Sequence, residues 1–300
     1  MSDRTTYLGW RIDFSRPQGE AALVHPSSVQ WRVYKNPVAM AIGGVAAVLM
    51  EFAEPKIRSG VWDHSTFKRD PIGRSRRTAI AAAVGVYGPA SAARRVIQGV
   101  TNMHAGVRGQ TPSGEAYRAL DPELLDWVGA TASYGFLAAY DRFVAPLSAS
   151  DKARFYREGD EVARLYGVET QPRSDADFLR MAEALADRFE PHPIVGEFLT
   201  VVQSDKAAAG TPRRLRRAAV RGAVCLLPPV IRRRLELGGA YDLTGPDRLS
   251  LKLAAGMAER WIDARSAPCQ ACVRVGLPFD FLYRRPAVQA LLLERAGLAG

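Results

Sequence analysis

Apolar residues recur at helical spacing along most of the chain, and no sustained alternation of β-branched and polar residues suggests a sheet. Asn36-Pro37 opens the first clear helix, with proline at its first position and apolar residues through Phe52 until Pro55 stops it. The pair Gly43-Gly44 lies inside it at a cost of about 1 kcal/mol per glycine relative to alanine, which predicts a close approach by another backbone. Residues 56–71 read as loop or short turns ending at Asp70-Pro71, and a second helix follows from Ile72 to Tyr87. On the 3.6-residue period Arg74, Arg77, Thr78, Ala81, Ala82 and Gly85 share one face of that helix, while Ile80, Val84 and Tyr87 share another. A third runs from Pro89 or Ala90 to about Arg108, stopped by Gly109. It aligns Val96, Val100, His104 and Val107 on one stripe, so His104 should point inward between the low flanks at Gly99 and Gly106.

Downstream, Asp121-Pro122-Glu123 is a cap followed by proline and a first-turn acid, and the helix it starts should reach Phe143. Ser150-Asp151 opens a helix to Tyr166-Gly167, and Ser174-Asp175 opens one to Phe189. Further helices are predicted over Ile194 to Ala209, Arg213 to Leu227, Pro229 to Leu237 and Pro246 to Ala264. The first 30 residues are irregular, with Trp10, Phe14 and Trp31 as anchors for an N-terminal arm. The predicted architecture is all-α: an arm over 1–30 and a single domain over 31–300 of roughly ten helices.

Composition narrows the functional classes. The chain has 300 residues, 47% of them hydrophobic, enough for a sizeable core. Its longest apolar run, Val38 to Met50, falls short of the roughly 20 residues of a spanning helix. The stretch from Met1 to Ser15 mixes Asp3, Arg4, Arg11 and Asp13 with no apolar run of the secretory kind, so a cytosolic, cytoplasmic location is expected. The net charge of +10 comes largely from arginine, clustered at Arg213-Arg214-Leu215-Arg216-Arg217, Arg221 and Arg232-Arg233-Arg234. No nucleic-acid motif accompanies these clusters, so nucleic acid is not an expected partner. They read as a solvated basic face, with peripheral contact to an anionic membrane as the variant. Cys269-x-x-Cys272 lacks the second pair or the βαβ setting of a zinc or thioredoxin-like site, and the two thiols read as buried and idle.

The chain lacks the H-E-x-x-H, G-x-S-x-G, G-x-x-x-x-G-K-[ST] and G-x-G-x-x-G patterns, which removes the usual zinc-hydrolase, serine-hydrolase and nucleotide readings. What remains is one inward histidine, His104, with small-sided helix faces and nearby arginines. Those are the parts of a haem site: an imidazole, a slot for a flat ligand and cations for its carboxylates. The plainer alternative is a core histidine with glycines that permit helix packing.

Four segments together resemble the MpaB and latex-clearing-protein (rubber oxygenase) family: Gly60-Val61-x-Asp63-His64-Ser65-x-Phe67, Asp70-Pro71-x-Gly73-Arg74-x-x-Arg77-Thr78, Val100-x-x-x-His104-x-x-Val107-x-Gly109, and Asp121-Pro122-x-Leu124-Leu125-x-Trp127-Val128. Leu227-Pro228-Pro229 looks like the family's C-terminal part, so the resemblance covers roughly 30 to 260. It implies a partly globin-like, orthogonal helical bundle holding haem b, and an oxygenase that oxidises or cleaves an apolar, unsaturated small molecule, such as an isoprenoid, with dioxygen. By resemblance His104 is the iron ligand, Arg74, Arg77 and Thr78 lie near the haem, and Arg74, Thr78 and His64 are candidates for catalysis. The rubber-cleaving branch has lysine where this chain has Arg77, and a guanidinium does not become a neutral ligand. The position opposite His104 is therefore expected to be open, water-filled or taken by another side chain.

Two points stay open in the sequence. His64 is either a distal group or part of a loop in which Asp63, His64 and Ser65 bond one another, and the catalytic carboxylate is any of Glu51, Glu54, Asp63 and Asp70. His25 and His192, each beside proline, read as structural. Two rivals accompany the oxygenase: a non-catalytic helical haem or lipid carrier, and a membrane-surface or nucleic-acid module built on Arg213 to Arg234.

Overall fold

A computed structural model describes residues 6–7, 10–66, 69–204 and 210–299, and the fold among them is an all-α orthogonal bundle. A short hairpin, β1 (Thr6–Tyr7) and β2 (Trp10–Arg11), precedes α1 (Val29–Tyr34), α2 (Pro37–Ala53), α3 (Pro55–His64), α4 (Pro71–Tyr87) and α5 (Ala90–Ala105). A second hairpin, β3 (Arg108–Gln110) and β4 (Ala116–Arg118), leads into α6 (Pro122–Phe143), α7 (Ala149–Glu158), α8 (Asp160–Leu165), α9 (Asp175–Ala184) and α10 (Pro193–Gln203). The chain continues through α11 (Arg213–Val224), α12 (Pro229–Arg234), α13 (Gly245–Arg260), α14 (Ala267–Arg274) and α15 (Pro286–Arg295).

Helix α2 forms where the pattern predicts, capped by the Asn36 side chain, which accepts from Val38 N and Ala39 N at 3.1 and 3.0 Å. Its backbone meets α6 at Gly43 and Gly135: a Cβ on either would stand 2.6 Å from the other's carbonyl oxygen. That is the close approach the glycines predict, and it makes α2 and α6 the central pair of the larger core. No single helix among the described residues is long and apolar enough to cross a membrane; α2 and α3 would pass only as a pair bent by 107°.

Several local expectations are corrected. The stretch from 56 is no loop up to His64 but α3, because Pro55 ends one helix and begins the next, with the Glu54 carboxylate accepting from Ile57 N at 2.9 Å. The single helix expected from 150 to 167 is two, broken at Gly159. The Gln30 amide presses on that glycine and donates to Phe155 O at 3.1 Å, leaving no room for a side chain. The helix carrying His104 stops at Ala105, and the residues after it pair as β3 with β4. Short two- and three-residue strands of this kind carry too little alternation to be seen in a sequence. The expected end of the helix from Ile194 lies outside the described residues, as does Phe67.

A second, smaller core joins the N-terminal arm to the C-terminal helices behind α4 and α5. Phe14 and Trp31 are buried in it as anchors, but Trp10 is exposed and its ladder partner Tyr7 is buried instead. Arg274 of α14, fully enclosed, donates to Phe14 O at 2.6 Å and Glu20 O at 2.8 Å, tying the arm to the chain's other end.

Candidate functional site

Asp70 caps α4 by accepting from Gly73 N at 2.8 Å, and the first two turns then present Arg74 and Arg77. Arg77 turns back to the preceding segment: its Nη2 donates to Thr66 Oγ1 at 2.6 Å and its Nη1 lies 3.7 Å from Asp70 Oδ2. Thr78 is exposed, and its hydroxyl donates to Arg74 O at 3.2 Å within its own helix. Arg74 instead faces inward. Burial lowers its guanidinium from the usual value, opposed by the carboxylate of Glu51 and reinforced by Arg77.

His104 sits on the last turn of α5, half-buried, below the buried Val96 on the predicted stripe. Burial, and then the positive charge of Arg74, lower its pKa, so the imidazole is neutral around pH 7. One side of it adjoins a cleft of about 510 Å³ lined also by Val107, Arg108, Arg118, Leu120, Asp121 and Pro122. Arg108 and Arg118 stand directly opposite each other in the β3–β4 ladder. Like charges so placed cost stability, and the carboxylate of Asp121, which lines the same cleft and caps α6, offsets part of that repulsion.

Glu51, near the end of α2, completes the inner group. Burial raises its carboxyl to about 7, against the attraction of Arg74 and a hydrogen bond with Thr131 of α6. The three other candidate carboxylates are committed elsewhere. Glu54 caps α3 and accepts from Arg188 at 2.7 Å, Asp70 caps α4, and Asp63 hydrogen-bonds the Tyr117 phenol. Of the four, Glu51 alone shares an environment with Arg74, and a carboxyl with a pKa near neutrality both takes and gives a proton there.

His64 is not in this group. It ends α3, exposed, with its ring edge-on to Tyr117 at 6.2 Å. Tyr117, which the sequence pattern does not single out, is the hub of the neighbouring motif residues. A Cβ at Gly109 would stand 2.7 Å from its hydroxyl, so that glycine makes room for it, whereas one at Gly60 would stand 3.6 Å from its ring, an ordinary contact. Thr131 was likewise missed as a site residue; its one signal is a hydroxyl in the buried stripe of α6, four residues after Trp127. His25 and His192 are structural as predicted: His25 Nδ1 bonds Ser27 Oγ at 2.7 Å, and His192 Nδ1 accepts from Ile194 N at 3.2 Å as the cap of α10.

The basic clusters are partly consumed by the fold. Arg216 is buried and donates to Thr211 O at 2.8 Å, Arg221 pairs with Asp247 at 2.8 Å, and Arg234 pairs with Asp187 at 2.8 Å. Cys269 and Cys272 are both buried, and burial pushes the Cys272 thiol up to about 12. Among the described residues no group of three or more His, Cys, Asp or Glu side chains could hold a bare metal ion.

Comparison with curated proteins gives no match, and neither does comparison with solved structures. A family model does match, over residues 31–260, from α1 to the end of α13. Its span contains Glu51, Arg74, His104 and Thr131, and leaves out the N-terminal arm and α14–α15, which pack behind α4 and α5. The chain therefore belongs to the family described as ER-bound oxygenase mpaB/B'/Rubber oxygenase, catalytic domain.

Proposed function

We propose that this chain is a haem b-dependent oxygenase that oxidises an apolar, unsaturated substrate of the isoprenoid kind with dioxygen. The observation that carries the reading is the neutral, half-buried imidazole of His104 in electrostatic reach of the inward cation Arg74. A bare metal ion asks a protein for three or more donors, whereas an iron held by a porphyrin asks for one, and a neutral imidazole is such a donor. The donor set thus fits haem. His104 would hold the iron, and Arg108 and Arg118, which share their cleft with Asp121, would be the cations available to the carboxylates of the group.

When bound, haem would supply an iron centre able to take up dioxygen. The protein's own contributions are distinct. Arg74 would orient polar atoms of the reacting species, and Glu51 would accept or return a proton at its carboxyl oxygen near pH 7. The Arg77 guanidinium, tied to Thr66 and Asp70, would position the start of α4 without serving as a ligand. Thr78 and His64 would act at most from the periphery, since one hydroxyl is spent on its own helix and the other ring packs on Tyr117.

The test is the absorption spectrum of purified protein supplemented with haem. A Soret band is expected in the wild type, and it should be lost or displaced in His104→Ala but kept in Thr78→Ala. No band in the wild type, or an unchanged one in His104→Ala, defeats the assignment. Oxygen uptake with an unsaturated isoprenoid chain then separates an oxygenase from a haem carrier.

A further inference from the structure

Helix α13 turns its apolar side chains in two directions. Leu251 and Ala255 are buried against the bundle. On the opposite face Leu249, Leu253 and Met257 follow one another at four-residue spacing, and Trp261 comes next just past the helix end. Their exposures are 61%, 59%, 68% and 76%, whereas the next most exposed large apolar side chain, Phe279, reaches 46%. Isolated exposed apolar side chains are ordinary; three in register on a helix of about 24 Å, with Trp261 just beyond its end, form a continuous stripe.

The charges around the stripe are sorted by sign. Both acids of α13 turn away from it and are engaged: Asp247 pairs with Arg221 at 2.8 Å, and Glu259 accepts from Lys35, Asn36 and Tyr140 at 2.8, 2.9 and 3.1 Å. Arg248, Lys252 and Arg260 are exposed, and no ion pair involves them among the described residues. The outward face is therefore apolar in the middle, cationic at its edges and free of unpaired acid. A tryptophan at its end suits the polar–apolar boundary of a lipid layer.

We infer that the outer face of α13, centred on Leu249, Leu253, Met257 and Trp261, docks the protein peripherally on an anionic lipid surface. An in-plane helix of this kind sinks its apolar face into the headgroup boundary while its cations meet lipid phosphates and carboxylates. A second copy of the chain is the poorer occupant, because a two-fold contact would set this cationic rim against itself in a molecule of net charge +10. The docking surface uses none of the arginines of α11 and α12, although α11 packs against the inner side of α13, and does not depend on haem being bound.

Co-sedimentation of the full chain with phosphatidylcholine vesicles, with and without phosphatidylglycerol, tests this. The wild type should bind the phosphatidylglycerol vesicles, release them at high salt, and bind pure phosphatidylcholine far more weakly. Leu253→Glu with Met257→Glu should weaken binding by roughly tenfold or more, and Lys252→Glu or Arg260→Glu by about fivefold each. These side chains are exposed, so unchanged circular dichroism and melting temperature are expected alongside. Arg213→Glu, Arg214→Glu and Arg217→Glu together form the comparison variant. Failure of the wild type to bind, binding unchanged in the α13 variants, or loss confined to the α11 variant overturns the inference. A wild-type dimer that Leu253→Glu converts to monomer, with no vesicle binding, overturns it too and assigns the face to a second copy.

Discussion

Gly43 and Gly135 face each other across α2 and α6 with no side chain between them, so that a Cβ on either would lie 2.6 Å from the opposite carbonyl oxygen. This contact sets the separation of the two helices that carry Glu51 and Thr131. Gly135→Ala is expected to cost about 3 kcal/mol, because backbone, unlike the end of a flexible side chain, has nowhere to move. Urea denaturation measures the loss. Gly44→Ala is the comparison: its Cβ would lie 3.7 Å from Phe136, an ordinary contact, and its stability should hold or rise. Equal effects at the two sites would show that the helices are not in backbone contact.

Glu51 makes stability depend on pH. Its carboxyl stands at about 7 in the folded chain against an ordinary 4.5, with burial as the dominant cause. The folded state therefore holds that proton more tightly than the unfolded state does. The stabilisation is complete below pH 4.5 and is lost as the pH rises through 7. Glu51→Gln should match the wild type in acid and exceed it by about 1–3 kcal/mol at pH 8. A constant difference between the two proteins across this range would disprove the shift. In the haem-loaded enzyme the same variant should lower turnover more than substrate affinity if the carboxyl moves a proton.

Glu54, three residues on, is a residue whose replacement is expected to destabilise the chain. It is 1% exposed, caps α3 and holds Arg188, which in turn reaches Glu123 at 2.7 Å. Glu54→Ala leaves a helix end uncapped and a cation without its enclosed partner, for a loss of about 3 kcal/mol. Its haem spectrum should stay that of the wild type. A spectral change without destabilisation would favour Glu54 over Glu51 as the carboxyl of the proposed site.

Much of the fold was written in local patterns. Proline at a first turn and Ser, Asp or Asn at a cap fix where helices begin, so α2, α4, α6 and α9 start within a residue or two of expectation. The inward stripe of α5 and the close contact at Gly43 were legible for the same reason, since periodicity and glycine cost are properties of a short segment. Where a partner distant in sequence intervenes, that signal fails. Gln30 breaks the helix at Gly159 from over a hundred residues away, and Tyr117 explains Gly109, which belongs to a different motif segment from the residues Tyr117 otherwise touches.

The candidate site divides along the same line. By itself the sequence determined the all-α class, the inward histidine and the arginine-bearing helix, because each depends on the order of side chains along one helix. It offered four carboxylates and had no means of choosing among them. Tertiary structure decided that Glu51 joins Arg74 and Thr131, that Glu54, Asp63 and Asp70 are spent on caps and Tyr117, and that His64 stands apart. It also decided that the apolar face of α13 is left in solvent. The physical reason is common to all of these: burial, pairing and desolvation arise between helices, and only their packing sets which charges meet and which surfaces remain uncovered.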